Sequence, residues 1–333
     1  MTNFQNNFIE GIGNTPLIKL KAASEITGCN IYGKAEYLNP GGSVKDRAAL
    51  ALIKDAEEKK LISKGGIIVE GTAGNTGIGL CLIGNSVGYK TIIVMNDNQT
   101  QEKKDMLRNI GADLRLVPPK PYKDDGNYVK VAGRLAEELK STNNHGVVWA
   151  NQFDNTANSK GHYESTGPEI WNQTDGNIDG FVCAIGTGGT LSGISQYLKS
   201  KNAEIAIGLA DPYGASMYNY FKNGELKAEG SSITEGIGQG RVTKNVEGSI
   251  IDFPYLIDDA EALDIVFTLI EKEGLFLGLS SGINIAGAKR LAKDLEKGST
   301  IVTILCDLAD RYKGKMFNID FLKENNLPVP EWL

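Results

Sequence analysis

Residues 65–95, GGIIVEGTAGNTGIGLCLIGNSVGYKTIIVM, read as strand, turn, helix and strand. The flanking runs IIVE and TIIVM are short and nearly continuous in apolar residues, as in strands buried on both faces. Between them, apolar residues recur at helical spacing through NTGIGLCLIGNSVG. A strand–helix–strand unit joins parallel neighbours in a sheet. The turn GTAGNTG opens the helix, and in open parallel sheets ligands bind at such turns, beyond the carboxyl ends of strands.

The pattern continues outward. QEKKDMLRNIGA (101–112) predicts a helix, DLRLVP (113–118) a strand, NYVKVAGRLAEELK (127–140) an amphipathic helix and GVVWAN (146–151) a strand. Further on, IDGFVCAIG, TLSGISQYLKSK and AEIAIGLADP repeat it, and AEALDIVFTLIEKEG, GINIAGAKRLAKDL and STIVTILCD close it. This alternation predicts an α/β fold in two groups of units, roughly 45–155 and 160–315, each a mostly parallel sheet flanked by helices. SSITEGIGQGRVTKNVEGS (231–249) breaks the rhythm and reads as a long loop, a kind that often carries function.

With 333 residues, 41% of them hydrophobic, and net charge −6, the chain has ordinary globular composition and length for two domains. Its acidic balance gives no support to nucleic-acid binding. No apolar run approaches the ~20 residues that span a bilayer. The start, MTNFQNNFIEGIGN, lacks the apolar core of a secretory signal. The cysteines Cys29, Cys81, Cys183 and Cys306 form no C-x-x-C, and three sit in apolar runs. A reduced, cytoplasmic chain is expected. With only His145 and His162, a metal centre or a Ser-His-Asp triad has few candidates, and no metal is expected. His162, opening a helical stretch in SKGHYE, reads as structural.

Four loops carry chemistry. In NPGGSVKDR (39–47), Ser43 suits an N-cap and Asp46 the other half of a capping box. Lys45 then falls in the first turn, where the helix dipole disfavours a positive charge. It is either a solvated lysine offset by Asp46 or a neutral amine ready for Schiff-base chemistry. In GTAGNTG (71–77), backbone amides and the side chains of Thr72, Asn75 and Thr76 can receive a carboxylate or phosphate. The same stretch can also be a plain turn capped by Asn75 or Thr76. In GTGGT (186–190), converging amides and the hydroxyls of Thr187 and Thr190 suit one phosphate. The P-loop lysine is missing, and Leu191 stands where a dinucleotide loop needs its third glycine, so a monophosphate fits best. In GLSSG (278–282), Ser280 or Ser281 is an N-cap or a ligand donor. A reactive lysine, a carboxylate cradle and a monophosphate cup together point to pyridoxal 5′-phosphate.

IGNTPLIKL (12–20), NPGGSVKDR, TAGNTGIGL (72–80), NQFDNTAN (151–158), GTGGTLSG (186–193), EGIGQGR (235–241) and GLSSG follow one another along nearly the whole chain. In this order they resemble the cysteine synthases and the catalytic core of the cystathionine β-synthases, fold type II pyridoxal phosphate enzymes. The resemblance implies the two-lobed tryptophan-synthase-β-like fold. A smaller, mobile domain over 41–157 would join a larger cofactor-binding domain formed by 1–40 plus 158–333. It implies that Lys45 carries the cofactor as an imine and later moves the α-proton. Asn75 would bond the cofactor's 3′-oxygen, and Gly186, Thr187, Gly188, Gly189 and Thr190 its phosphate. Ser280 would face the pyridine nitrogen. Thr72, Ala73, Gly74, Asn75, Thr76 and Gln152 would receive the substrate carboxylate, and Gly236 would line the mouth.

A neutral hydroxyl at the ring nitrogen cannot hold it protonated as an aspartate could. Expulsion of a β-substituent is then favoured over transamination. The expected reaction is β-replacement on an L-serine derivative through an aminoacrylate, most simply O-acetyl-L-serine plus sulfide giving L-cysteine plus acetate. The alternative is cystathionine β-synthase-like replacement, or desulfuration of cysteine with release of sulfide. A homodimer is implied, with serine acetyltransferase as a candidate partner. Departures from the family pattern are Ala73 for serine, Gly71 for proline (a more flexible residue), Gln239 and Arg241 in the long loop, and LCDLADRYKGKMF near the end. These leave the leaving group and nucleophile open.

Overall fold

The computed structural model describes residues 5–72 and 74–333. Ten strands are formed: β1 Leu17–Lys19, β2 Asn30–Ala35, β3 Ile67–Gly71, β4 Lys90–Asn96, β5 Asp113–Val117, β6 Val147–Trp149, β7 Gly180–Cys183, β8 Ala206–Pro212, β9 Phe253–Ile257 and β10 Thr300–Leu305. The chain divides into two compact units. One comprises 5–13, 39–41 and 45–161, and the other comprises 14–38, 42–44 and 162–333.

The first unit holds a four-stranded, all-parallel sheet in the order β5-β4-β3-β6. Its central strands β3 and β4 lack polar alternation because each face of the sheet has its own core. Ile68 and Val148 face a cluster with Leu52, Leu80 and Ile83. Val69, Ile92 and Val94 face the opposite side, against Ala132 and Ala136 of the helix Tyr128–Leu139. The chain runs β3, β4, β5 in one direction and then returns to lay β6 on the other side of β3. The order therefore reverses at the carboxyl ends of β3 and β6, the position where such sheets bind ligands.

The second unit holds a six-stranded sheet, β1-β2-β10-β7-β8-β9, parallel except for the antiparallel β1–β2 edge. That edge lies in a stretch the strand–helix rhythm does not predict. Period-two alternation again feeds two cores. Val182, Ala210, Ile301 and Leu305 pack against the helix Leu279–Asp294 side, while Phe181, Ile207, Leu209, Val302 and Ile304 pack opposite. Here the order reverses between β7 and β10. Buried Asn284 ties these two strands: its side chain accepts the Ala184 N–H and donates to the Ile304 carbonyl, each at 2.7 Å.

The stretch 231–249 is a long loop, as its composition predicts, except that it ends in a short helix, Lys244–Glu247, capped by the Thr243 hydroxyl. Among the described residues, no helix is long and apolar enough to cross a membrane.

Candidate active site

In the first unit, the turn after β3 leads straight into the helix Asn75–Val87. The N-cap is Gly74, which has no side chain to cap the helix. Asn75 and Thr76 are therefore inside the helix rather than capping it. A Cβ on Gly74 would meet nothing within 4 Å, so the backbone there is open to a ligand. Thr72, Thr76 and Gln152 are buried. Gln152 arrives from the turn after β6, and its Oε1 accepts the Thr76 hydroxyl at 2.6 Å. The switch point thus brings together two predicted carboxylate-binding residues 76 positions apart in sequence. Ala73, predicted with them, lies outside the described residues.

Gly71 has a different explanation from flexibility. It pairs with Val94 inside the sheet. A Cβ at Gly71 would stand 2.6 Å from Val129 Cα and 2.8 Å from the Tyr128 carbonyl oxygen. The helix Tyr128–Leu139 crosses β3 so closely that only hydrogen fits. Next to it, the Glu70 carboxylate is fully buried and accepts the Asn151 N–H at 2.7 Å. Burial pushes this carboxyl up to about 8, against the lowering effect of its hydrogen bonds from Asn151 and Gln152.

Lys45 is the first residue of the helix Lys45–Glu58 and is half-buried, so it is not a fully solvated surface lysine. Ser43 lies outside that helix, fully buried in a bridge to Asp307. The Asp46 carboxylate accepts the Gly41 N–H at 2.6 Å. Gly42–Val44 belong to the second unit, where Val44 N–H donates to the Cys306 carbonyl at 3.0 Å. The residues just before the lysine are thereby tied to the end of β10.

The second unit supplies the GTGGT loop, directly after β7. Gly188, with φ +94°, is the N-cap of the helix Gly189–Lys201 and has no side chain of its own to cap it, while the Thr187 hydroxyl accepts the Gly189 N–H at 3.3 Å. Its first-turn amides and dipole favour an anion. A Cβ on Gly188 would stand 2.6 Å from Val246 Cγ2, and one on Gly186 would stand 2.3 Å from the Gly236 carbonyl oxygen. Both contacts come from the long loop, which wraps this cup. Gly238 N–H donates to the Ile185 carbonyl at 2.9 Å, Gln239 Nε2 to the Gly186 carbonyl at 3.0 Å, and the Thr243 hydroxyl to the Thr187 carbonyl at 2.7 Å. Gln239, whose sequence position suggests a role in specificity, is a staple for the loop. Gly236 is exposed, with φ +77°.

His162 is buried, as a structural residue should be, yet it reaches the cup. Its Nε2 hydrogen-bonds the Thr190 hydroxyl at 3.2 Å and its Nδ1 the Thr166 hydroxyl at 2.8 Å. Sequence reasoning misses this contact, because the partners lie 28 positions apart and nothing between them signals it.

Ser280 sits in the first turn of the helix Leu279–Asp294, whose N-cap is Gly278. It is buried and lines a small cavity with Ile233, Thr234, Glu235, Tyr312 and Lys315. Ser281 is spent elsewhere, its Oγ accepting the Cys306 N–H at 2.9 Å. The divergent LCDLADRYKGKMF segment braces this helix start. Gly278 N–H donates to the Asp307 carbonyl, and a Cβ on Gly278 would stand 2.3 Å from Asp307 Oδ1. The Tyr312 hydroxyl donates to Asp307 Oδ2 at 2.5 Å, and burial together with that carboxylate raises the tyrosine's pKa. Lys315 pairs with Glu235 at 3.0 Å and donates to the Ile233 carbonyl, tying the same segment to the long loop.

These groups fit pyridoxal phosphate by their own chemistry. A helix start behind glycines that tolerate no Cβ suits a phosphate, a buried hydroxyl beside a cavity suits a ring nitrogen, and a lysine at a helix start suits an aldehyde.

The family model described as "Pyridoxal-phosphate dependent enzyme" matches residues 9–307. "Cysteine synthase 1" of Neurospora crassa is 50% identical over 329 residues, covering 97% of this chain and 86% of that protein. Among solved structures, an O-ureido-L-serine synthase aligns with TM-score 0.84 at 34% identity, covering 95% of this chain and 96% of the other. An O-acetylserine-dependent cystathionine beta-synthase from Helicobacter pylori aligns with TM-score 0.81 at 33% identity, covering 94% and 99%.

Proposed function

The chain belongs to the family of pyridoxal-phosphate-dependent enzymes, and from that premise we propose that it performs β-replacement on O-acetyl-L-serine, with sulfide as nucleophile and L-cysteine and acetate as products. The observation that carries this reading is the pair of helix N-termini with glycine at the N-cap, Gly74 and Gly188, one in each unit. Each stands at the carboxyl end of a central parallel strand, and each suits one anion: a substrate carboxylate in the first unit and a cofactor phosphate in the second.

When bound, pyridoxal phosphate supplies an electron sink that acidifies the α-proton of an amino acid. The chain's residues supply the rest. Gly186, Thr187, Gly188, Gly189 and Thr190 anchor the phosphate, with His162 fixing the Thr190 hydroxyl. Asn75 is assigned to the cofactor's 3′-oxygen, and Ser280 to its ring nitrogen. Ser280 offers a hydroxyl there and no formal negative charge, which favours loss of a β-substituent over proton return at another carbon. Thr72, the backbone around Ala73 and Gly74, Asn75, Thr76 and Gln152 bind the substrate carboxylate and orient Cα. Lys45 Nζ would hold the cofactor aldehyde and, as a free amine, would take the α-proton of the substrate. Gly236 lies on the exposed loop that wraps the cup, where the second substrate enters.

A reducing compartment such as the cytoplasm suits the buried thiols of Cys29, Cys81 and Cys183. A homodimer, with serine acetyltransferase as a partner, belongs to the same proposal.

The test is product analysis. Holoenzyme with O-acetyl-L-serine and sulfide should form cysteine and acetate in equal amounts. Lys45→Ala should lose this activity by at least a thousandfold and also the visible absorbance of the lysine-bound cofactor. Faster turnover of serine or cysteine than of O-acetyl-L-serine, with homocysteine or with release of sulfide, would replace this substrate assignment with the cystathionine-forming or desulfurating one.

A further inference from the structure

Resting on the reading that Thr76 and Gln152 receive the substrate carboxylate, we propose that Glu70 is a positioning residue for amino-acid binding: it sets the orientation of Gln152 and, through it, of Thr76. Glu70 is the penultimate residue of β3, with no exposure to solvent. It faces the turn after β6 rather than the ligand. Asn151 N–H donates to one carboxyl oxygen at 2.7 Å, and Gln152 N–H points to the other at 3.4 Å. The Gln152 side chain hydrogen-bonds the same carboxyl group.

A glutamine amide presents its NH₂ in one direction and its carbonyl in the other. With the NH₂ engaged by Glu70, the carbonyl faces Thr76 and accepts its hydroxyl at 2.6 Å. Glu70 also steadies the backbone where it is least comfortable. Asn151 has φ +50°, a left-handed conformation uncommon for a residue with a side chain. Its N–H is held on Glu70, so the turn that delivers Gln152 is fixed at both of its first two residues.

A fully buried carboxyl is an expensive way to fill core volume, because an apolar side chain of similar size would avoid the desolvation cost. Its acceptor capacity is what an apolar residue could not replace. The titratable neighbour is Tyr128, at the start of the helix that crosses Gly71; burial and Glu70 raise the tyrosine's pKa. Burial keeps Glu70 itself protonated to unusually high pH, up to about 8. Deprotonation above that value strengthens it as an acceptor for the Asn151 and Gln152 donors.

The experiment compares Glu70→Gln with wild-type holoenzyme and with Gln152→Ala. Two quantities are read: calorimetric binding of L-alanine, which carries the carboxylate but no leaving group, and the separate kcat and KM for O-acetyl-L-serine. Glu70→Gln replaces one carboxyl oxygen, which can accept, by an NH₂ that can only donate and faces other donors. It should weaken alanine binding and raise KM by roughly tenfold, about the net worth of one hydrogen bond. Its kcat should fall less than twofold, and its affinity for pyridoxal phosphate should not change. If Gln152→Ala weakens alanine binding and Glu70→Gln does not, Glu70 has no positioning role and the carboxylate site stands. If Gln152→Ala leaves alanine binding unchanged, the carboxylate reading itself fails and takes this proposal with it. Should Glu70→Gln not fold, Glu70→Asp withdraws the carboxyl group by one methylene and must show the same split at smaller amplitude; alanine affinity equal to wild type would overturn the proposal.

Discussion

Replacing Gly186 by alanine adds one methyl group at the place where the phosphate cup meets the loop that wraps it. The new Cβ would stand 2.3 Å from the Gly236 carbonyl oxygen, whereas ordinary contact begins at 3.4 Å. About 1.1 Å must therefore be found by moving backbone, since neither partner is a flexible side-chain end. The surroundings resist that movement. Gln239 Nε2 holds the Gly186 carbonyl at 3.0 Å, Gly238 N–H holds the Ile185 carbonyl at 2.9 Å, and Thr243 holds the Thr187 carbonyl at 2.7 Å. A donor displaced by about 1 Å no longer makes a proper hydrogen bond. Hydrogen bonds to a charged group are worth roughly 1.5–3 kcal/mol. Losing one from the cup should weaken pyridoxal phosphate binding roughly ten- to hundredfold. The fold should lose about 1–3 kcal/mol through overpacking. Fluorescence titration of the apo-protein with cofactor, alongside thermal denaturation, measures both effects. Gly240→Ala is the control, because the same methyl meets nothing within 4 Å there and the backbone φ is not left-handed. If Gly186→Ala binds cofactor within twofold of Gly240→Ala, the phosphate is not held by this cup in the way argued.

Two further outcomes follow from the first unit. Gly71→Ala should destabilise by about 1–3 kcal/mol, because its Cβ would press on the Val129 and Tyr128 backbone at 2.6 and 2.8 Å; an unchanged urea midpoint would mean the helix yields freely. Glu70 should make folding stability depend on pH. Its carboxyl is raised by burial from 4.5 to about 8, so between those values the folded chain keeps a proton that the unfolded chain has released. Its contribution is therefore fully present below 4.5 and is lost as pH rises through about 8, at up to about 1.4 kcal/mol per pH unit. Buried Asp211, raised to about 7, adds a decline in the same direction that ends lower. Urea unfolding between pH 5 and 8 should show a shallower decline in Glu70→Gln than in wild type, and equal slopes would contradict the burial argument.

Much of this was legible in the chain. The continuous apolar runs IIVE, TIIVM and TIVTIL announce strands with both faces covered, and they form β3, β4 and β10. The glycine-rich turns sit at strand-to-helix junctions, and two of those junctions are the places where each sheet reverses its order. Strands β1 and β2 were not legible, because the pair joins the sheet through β10, a parallel neighbour of β2 that lies 270 positions further on. The role of Gly71 was not legible either. A glycine that serves close approach looks, in sequence, like one that serves flexibility, and only the position of Val129 separates the two. His162, Glu70, Gln239 and Asp307 act through partners distant in sequence, at separations that no local period encodes.

By itself, then, the sequence determined the secondary-structure rhythm, the fold class and the cofactor. These depend on local periodicity, on the φ freedom of glycine and on residue types that only certain chemistries require. Only the tertiary structure decided which side chains brace those loops. Hydrogen-bond partnership and van der Waals exclusion depend on distances between segments, and the order of strands in a sheet sets those distances. The cup at Gly186 is closed by Gly236, and the Gln152–Thr76 pair is steered by Glu70, because β7, β3 and β6 deliver their carboxyl-end turns to positions that the chain order does not reveal.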